Sequence, residues 1–217
     1  MSRKKEIKEI LDILLDYKGE KIKDYCSNRL SQGMDPYDIF NELSSGLEEI
    51  GMGFEDQEFQ RYFTSDLIVS GKNMKKAIEI LKKHFKKSLK AKGMVIVGTV
   101  KGDVHDIGKM IFSITLESNG FKVIDLGVDV GKESFIQEIK VNKPNILGIS
   151  ALLSSTIFYM EEVIDELKKE KLRDKVKVIV GGKAVSEEFA MKIGADAYGK
   201  DSMEGLRKCI SFIEAEK

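Results

Sequence analysis

From Met94 to the carboxyl terminus, short apolar runs alternate with amphipathic stretches, and no other feature restricts the fold as much. The runs are MVIVGTV (94–100), FKVIDLG (121–127), NILGISA (145–151), VKVIVGG (176–182) and ADAYG (195–199). Most are β-branched and nearly continuously apolar, which predicts strands buried on both faces. Helical stretches fill the gaps at 107–118, 132–143, 156–169, 186–193 and 202–216. Strands joined by crossover helices make a parallel sheet with right-handed connections. The expectation over 93–217 is an α/β domain with a doubly wound, flavodoxin-like (Rossmann-like) sheet.

The first 88 residues predict helices only. Ile7, Ile10, Leu11, Leu14 and Leu15 recur at helical spacing until Gly19, and a second helix fits 20–32, before Gly33. The third opens with Asp35 as cap and Pro36 in the first turn, and presents Ile39, Phe40, Leu43, Leu47 and Ile50. After a loop around GFEDQEF (53–59), a fourth runs over 65–85 along Leu67, Ile68, Met74, Ile78 and Leu81. Four short-linked amphipathic helices predict an N-terminal bundle over 1–88. The lysine-rich tract KHFKKSLKAKG (83–93) loses the apolar stripe and reads as a helix tail plus a solvated linker. Such a tract suits a hinge over 86–93.

Composition removes several functions. Lys plus Arg and Asp plus Glu are 36 each, so no net charge draws the chain to nucleic acid. No apolar run approaches the ~20 residues of a membrane span. The amino-terminal stretch carries acids among its apolar residues, which predicts an amphipathic helix and not a signal peptide. Cys26 and Cys209 are far apart and build no CxxC pair, which fits a reducing cytoplasm.

The stretch TVKGDVHDIGKMIF (99–112) holds one of two histidines in the chain. In open α/β sheets ligands sit beyond the carboxyl ends of the strands. Four loops converge there: 101–107, 150–154, 181–182 and 199–201. A metal-ligating imidazole usually gives its second N–H to a carboxylate, and Asp103 is placed to accept it. Gly108 leaves room for a bulky planar group at the helix start. No further ligands stand at workable spacing, so a lone imidazole suits a metal already held in a macrocycle. Taken alone, the triplet reads first as an ordinary loop histidine capped by Asp106.

DVHDIG (103–108), SALLS (150–154) and the glycine pair 181–182 resemble the cobalamin signature D-x-H-x-x-G … S-x-L … G-G. The gaps, 41 residues from Gly108 to Ser150 and 28 from Leu152 to Gly181, fall where that family has them. The longer phrases GTVKGDVHDIGK, GISALLSST and GGKAV…GADAYGKD are similar to the corrinoid proteins of methylamine, methanol, methylthiol and O-demethylase methyltransferase systems. They are also similar to the cobalamin module of methionine synthase, and the helical half resembles the cap of those proteins.

The resemblance implies cobalamin, as methylcobalamin or another corrinoid, with His105 as the lower ligand of cobalt in place of the cofactor's own base. It implies that Asp103 holds His105 and that the Thr156 hydroxyl completes the relay. Ser150 and Leu152 would line the slot for the displaced nucleotide tail, with Ser154 near the corrin. Gly181 and Gly182 would leave room for that tail, although a tight strand-to-helix turn is another use of paired glycines. Asp106, Gly108 and Gly199 complete the implied cofactor contacts. The implied activity is methyl carriage between a substrate methyltransferase and an acceptor methyltransferase using a thiol or folate, with a reductive activase as a further partner. The chain would be one subunit of that system, not a complete enzyme.

Departures are visible. The family's Phe-Leu-Pro or Phe-Val-Pro step into the last cap helix is here Phe63-Thr64-Ser65, and Met110 stands where many relatives have Asn. Upper-face contacts would fall near Phe59, Tyr62 and Phe63, which equally suit bundle core. The alternative, a cobalamin-binding sensor or regulatory module, shares both domains but usually carries a DNA-binding module, and no basic recognition helix is spare. A receiver domain needs an aspartate at the end of strand three, where Ser150 stands.

Overall fold

The computed structural model describes residues 3–55, 61–84 and 92–215. The chain divides into two compact units, Met1–Phe85 and Lys86–Lys217. The linker expected at 86–93 and Phe59 lie largely outside the described residues, Lys92 and Gly93 excepted.

In the first unit, α1 (Arg3–Leu14), α2 (Lys21–Ser31), α3 (Pro36–Glu55) and α4 (Thr64–Leu81) bury Ile10, Leu14, Ile22, Ile39, Leu43, Ile50, Met74, Ile78 and Leu81 against one another. Two expectations shift. Helix α3 continues through Gly53 to Glu55, where a loop was expected; a Cβ at Gly53 would meet the Tyr62 ring at 2.7 Å. Ile68 is 53% exposed, because the buried stripe of α4 runs Ser70, Asn73, Met74, Ala77, Ile78, Leu81, centred about 150° away round the helix. The Asn73 amide caps α1, donating to the carbonyls of Leu14 at 2.9 Å and Asp16 at 2.8 Å.

The second unit holds β1 (Gly93–Thr99), β2 (Phe121–Asp125), β3 (Ile146–Ser150), β4 (Lys177–Gly181) and β5 (Ala197–Gly199), all parallel in the order β2-β1-β3-β4-β5. The order reverses between β1 and β3, the doubly wound pattern. Helices α6 (Lys132–Asn142), α7 (Phe158–Lys169) and α8 (Glu187–Ile193) cover one face over Ile96, Leu147, Ile149, Val178 and Val180. Helices α5 (Ile107–Ser118) and α9 (Ser202–Ala215) cover the other over Val95, Val97, Ile146 and Ile179. Neighbouring strand residues thus point to opposite, equally dry faces, which explains the unbroken apolar runs. Helix α7 starts at Phe158 and not 156, since residues 153–157 form a turn of their own. Burial pushes the Cys26 thiol up to about 11 and the Cys209 thiol up to about 12. Among the described residues no helix is long and apolar enough to cross a membrane.

Candidate functional site

At the carboxyl edge, strand register brings four small residues into one row: Thr99 opposite Ser150, Ser150 opposite Gly181, and Gly181 opposite Gly199. The loop 101–106 rises from this row beside the switch point, with His105 just ahead of α5. Gly102 takes φ +77°, a turn that suits glycine, so the chain folds back and buries Asp103 completely.

Asp103 organises the site. Its Oδ1 accepts from the His105 backbone N–H at 3.0 Å and lies 2.7 Å from His105 Nδ1. Its Oδ2 accepts from the Leu152 N–H at 2.7 Å and the Leu153 N–H at 3.2 Å, and lies 3.0 Å from the Thr156 hydroxyl. One buried carboxylate therefore ties the loop after β1 to the loop after β3. Burial pushes the Asp103 carboxyl up, but the His105 and Leu152 N–H groups, the imidazole and the Leu153 N–H outweigh it and hold the group at about 2.

An ionised carboxylate only accepts, so His105 Nδ1 carries the proton in their shared bond. In the neutral ring, Nε2 then keeps its lone pair. The His105 side chain is 45% exposed, and Nε2 has no hydrogen-bond partner among the described residues. The backbone carbonyl of His105 accepts from the buried Thr99 hydroxyl at 3.0 Å, which fixes the turn from below.

The other sequence-derived positions fall as follows. Thr156 is buried on Asp103, and Leu152, exposed, presents its side chain at the rim. Ser150 is half-buried in the row, and Ser154 is exposed on the loop after β3. Asp106 occupies the N-cap position of α5 without a side-chain capping bond to the helix. A Cβ at Gly108 would meet nothing within 4 Å, so the helix start is open. Gly182 has a reason of its own: at φ +123°, a Cβ there would lie 1.9 Å from the Ala151 carbonyl oxygen. At Gly181 a Cβ would lie 2.9 Å from the Gly199 carbonyl oxygen. Tyr62 and Phe63 belong to the other unit; Tyr62 is half-buried and Phe63 62% exposed.

Sequence reasoning passed over Val104, Val128 and Leu153. All three are exposed apolar residues on the loops that Asp103 and Asp129 join, and with Leu152 they put apolar surface on those loops. The available signal was their chemistry: Val and Leu in turns otherwise made of Gly, Asp and Ser.

Residues 93–207 match the family model described as a B12 binding domain. The chain belongs to the B12-binding corrinoid protein family. A second model, also described as a B12 binding domain, matches residues 6–82. The dimethylamine corrinoid protein 2 of Methanosarcina mazei is 36% identical over 217 residues, covering 98% of this chain and 100% of its own. The monomethylamine corrinoid protein of Methanosarcina barkeri superposes with TM-score 0.85 at 32% identity, covering 95% of this chain and 96% of that one. The methanol:cobalamin methyltransferase complex MtaBC of Methanosarcina barkeri gives TM-score 0.55 at 26% identity, covering 98% and 81%.

The family's cofactor is cobalamin, and the residues present fit it. One imidazole offers one nitrogen, and among the described residues no group of three side chains could hold a bare metal ion. A corrin brings the other ligands to its cobalt itself. Open space at Gly108 and the apolar rim suit a large planar group.

Proposed function

We propose that the chain carries methyl groups on base-off cobalamin between two methyltransferases, with His105 as the lower ligand of cobalt. The observation that supports this most is the Asp103 hub, whose ionised carboxylate commits Nδ1 and leaves Nε2 available on an exposed ring. Bound cobalamin supplies the cobalt that takes up and releases the methyl group, while the protein supplies binding and orientation. Asp103 sets the tautomer of His105, and Thr156 with the Leu152 and Leu153 N–H groups keeps Asp103 ionised. Ser150, Leu152, Gly181, Gly182 and Gly199 form the floor and wall of the slot for the nucleotide tail. Asp106, Gly108 and Ser154 stand at the corrin edge.

The donor side is a methyltransferase for a methylated amine, as the names of the dimethylamine and monomethylamine relatives suggest, and a methyltransferase complex among the similar structures supports a protein partner. The acceptor side is a second methyltransferase using a thiol or folate, and a reductive activase restores oxidised cobalt. Two unpaired cysteines are in keeping with a cytoplasmic setting.

Reconstitution of the apoprotein with hydroxocobalamin tests the reading. The expected result is one cobalamin per chain with a base-off, His-on spectrum, lost in His105→Ala. Failure to bind, or a spectrum with the cofactor's own base on cobalt, overturns it.

A further inference from the structure

The segment after β2 grips the His105 turn from both sides. Gly102 donates its backbone N–H to Asp129 Oδ1 at 2.7 Å, while the Asp129 N–H donates to the Asp103 carbonyl at 2.9 Å. Asp129 sits at φ 55°, a left-handed conformation that Gly, Asn and Asp bear most easily. The grip is seated on β1, because the Val130 N–H donates to the Thr99 carbonyl and the Thr99 N–H to the Gly127 carbonyl. On the far side of the turn, the Asp125 carboxylate pairs with Lys109, a buried lysine in the first turn of α5, and accepts from the Gly127 N–H at 2.9 Å. Residues 102–109, with His105 between, are thus fastened at both ends by one short segment.

We infer that Asp129 is a positioning residue for His105, acting through Gly102 and the Asp103 backbone. The role deepens the proposed reading of His105 and rests on it. The left-handed conformation lets the Asp129 side chain and its amide both reach Gly102–Asp103. If the turn relaxes, the Asp103 carboxylate shifts against the imidazole, and the Nδ1–H tautomer is no longer enforced.

Two substitutions separate the hydrogen bond from the backbone geometry. Asp129→Gly keeps the left-handed conformation and removes the acceptor, whereas Asp129→Asn keeps both. In the apoprotein, Asp129→Gly should raise amide exchange at Gly102 roughly fivefold, the scale of one ordinary hydrogen bond. It should also lower the Nδ1–H share of His105 in nitrogen-15 spectra, while Asp129→Asn stays near wild type. With hydroxocobalamin, Asp129→Gly should still bind but show a larger His-off fraction. Wild-type exchange and tautomer in Asp129→Gly would overturn the inference whatever the cofactor spectra show. If those apoprotein signals shift as stated while wild-type holoprotein shows no His-on spectrum, the positioning role stands and the ligand reading of His105 falls.

Discussion

The two edges of the sheet use the same device for different ends. At the carboxyl edge Asp103 takes its bonds from backbone N–H groups, a hydroxyl and an imidazole, and among the described residues no lysine or arginine pairs with it. At the amino edge Asp196 accepts from the Val178 N–H at 2.7 Å and pairs with Arg173 at 2.7 Å and Lys177 at 3.6 Å. Arg173 in turn donates to the Gly194 carbonyl at 2.7 Å. Both carboxylates staple segments distant in sequence. At Asp196 two cations neutralise the charge, and nothing remains for a ligand. At Asp103 the charge is spread over neutral donors, so it stays available to orient and polarise one imidazole. Which donors surround a carboxylate separates a scaffold from a site.

The largest effect that would break this comparison is at Gly182. Gly182→Ala forces a methyl group against the Ala151 carbonyl in a backbone conformation alanine avoids, and should cost about 3 kcal/mol or more by denaturant titration. A stable Gly182→Ala protein would mean that the glycine serves the ligand and not the strand ends. Next comes Asp103→Asn, which replaces one accepting oxygen with an amide NH2 donor that faces N–H donors. It should cost about 2 kcal/mol of stability and weaken cobalamin binding roughly 10–100-fold. Arg173→Met should lower stability by about 1 kcal/mol and leave cobalamin affinity as it was. Weakened binding in that variant would erase the distinction between the edges. The smallest effect is one of pH. Asp103 is held at about 2, below its ordinary 3.8, so it stabilises the fold above about pH 4 and loses that contribution as pH falls toward 2. The stability gap between wild type and Asp103→Asn should be flat near neutrality and close between pH 4 and 2, and a gap unchanged at pH 2 would show that the charge is not what matters.

Much of the fold was legible because local signals agreed with the tertiary outcome. Helix α5 spans Ile107–Ser118 as expected, since Asn119-Gly120 ends it and Gly120 takes φ +93°. Asp35-Pro36 announced α3, but Gly53 read as the start of a loop, although it only makes room for Tyr62. The site divides in the same way. Asp103 and His105 are two residues apart and visible as a pair, whereas Lys109 and Asp125 are 16 apart and Gly102 and Asp129 are 27 apart. Those pairings depend on how the end of β2 lies along β1, which no local pattern encodes. The glycine pair was read for its room or for a tight strand-to-helix turn, and at Gly182 the Ala151 carbonyl alone already excludes a side chain.

The two thiols, buried and pushed up to about 11 and 12, matter for a carrier of methyl groups. Thiolates are the soft nucleophiles that an activated methyl group alkylates most readily, and the neutral thiol is far less reactive. Near pH 7 Cys26 and Cys209 are protonated and out of reach, each packed inside its own unit. The chain therefore offers its cargo no cysteine thiolate of its own, and methylation of its cysteines does not compete with delivery to the partner.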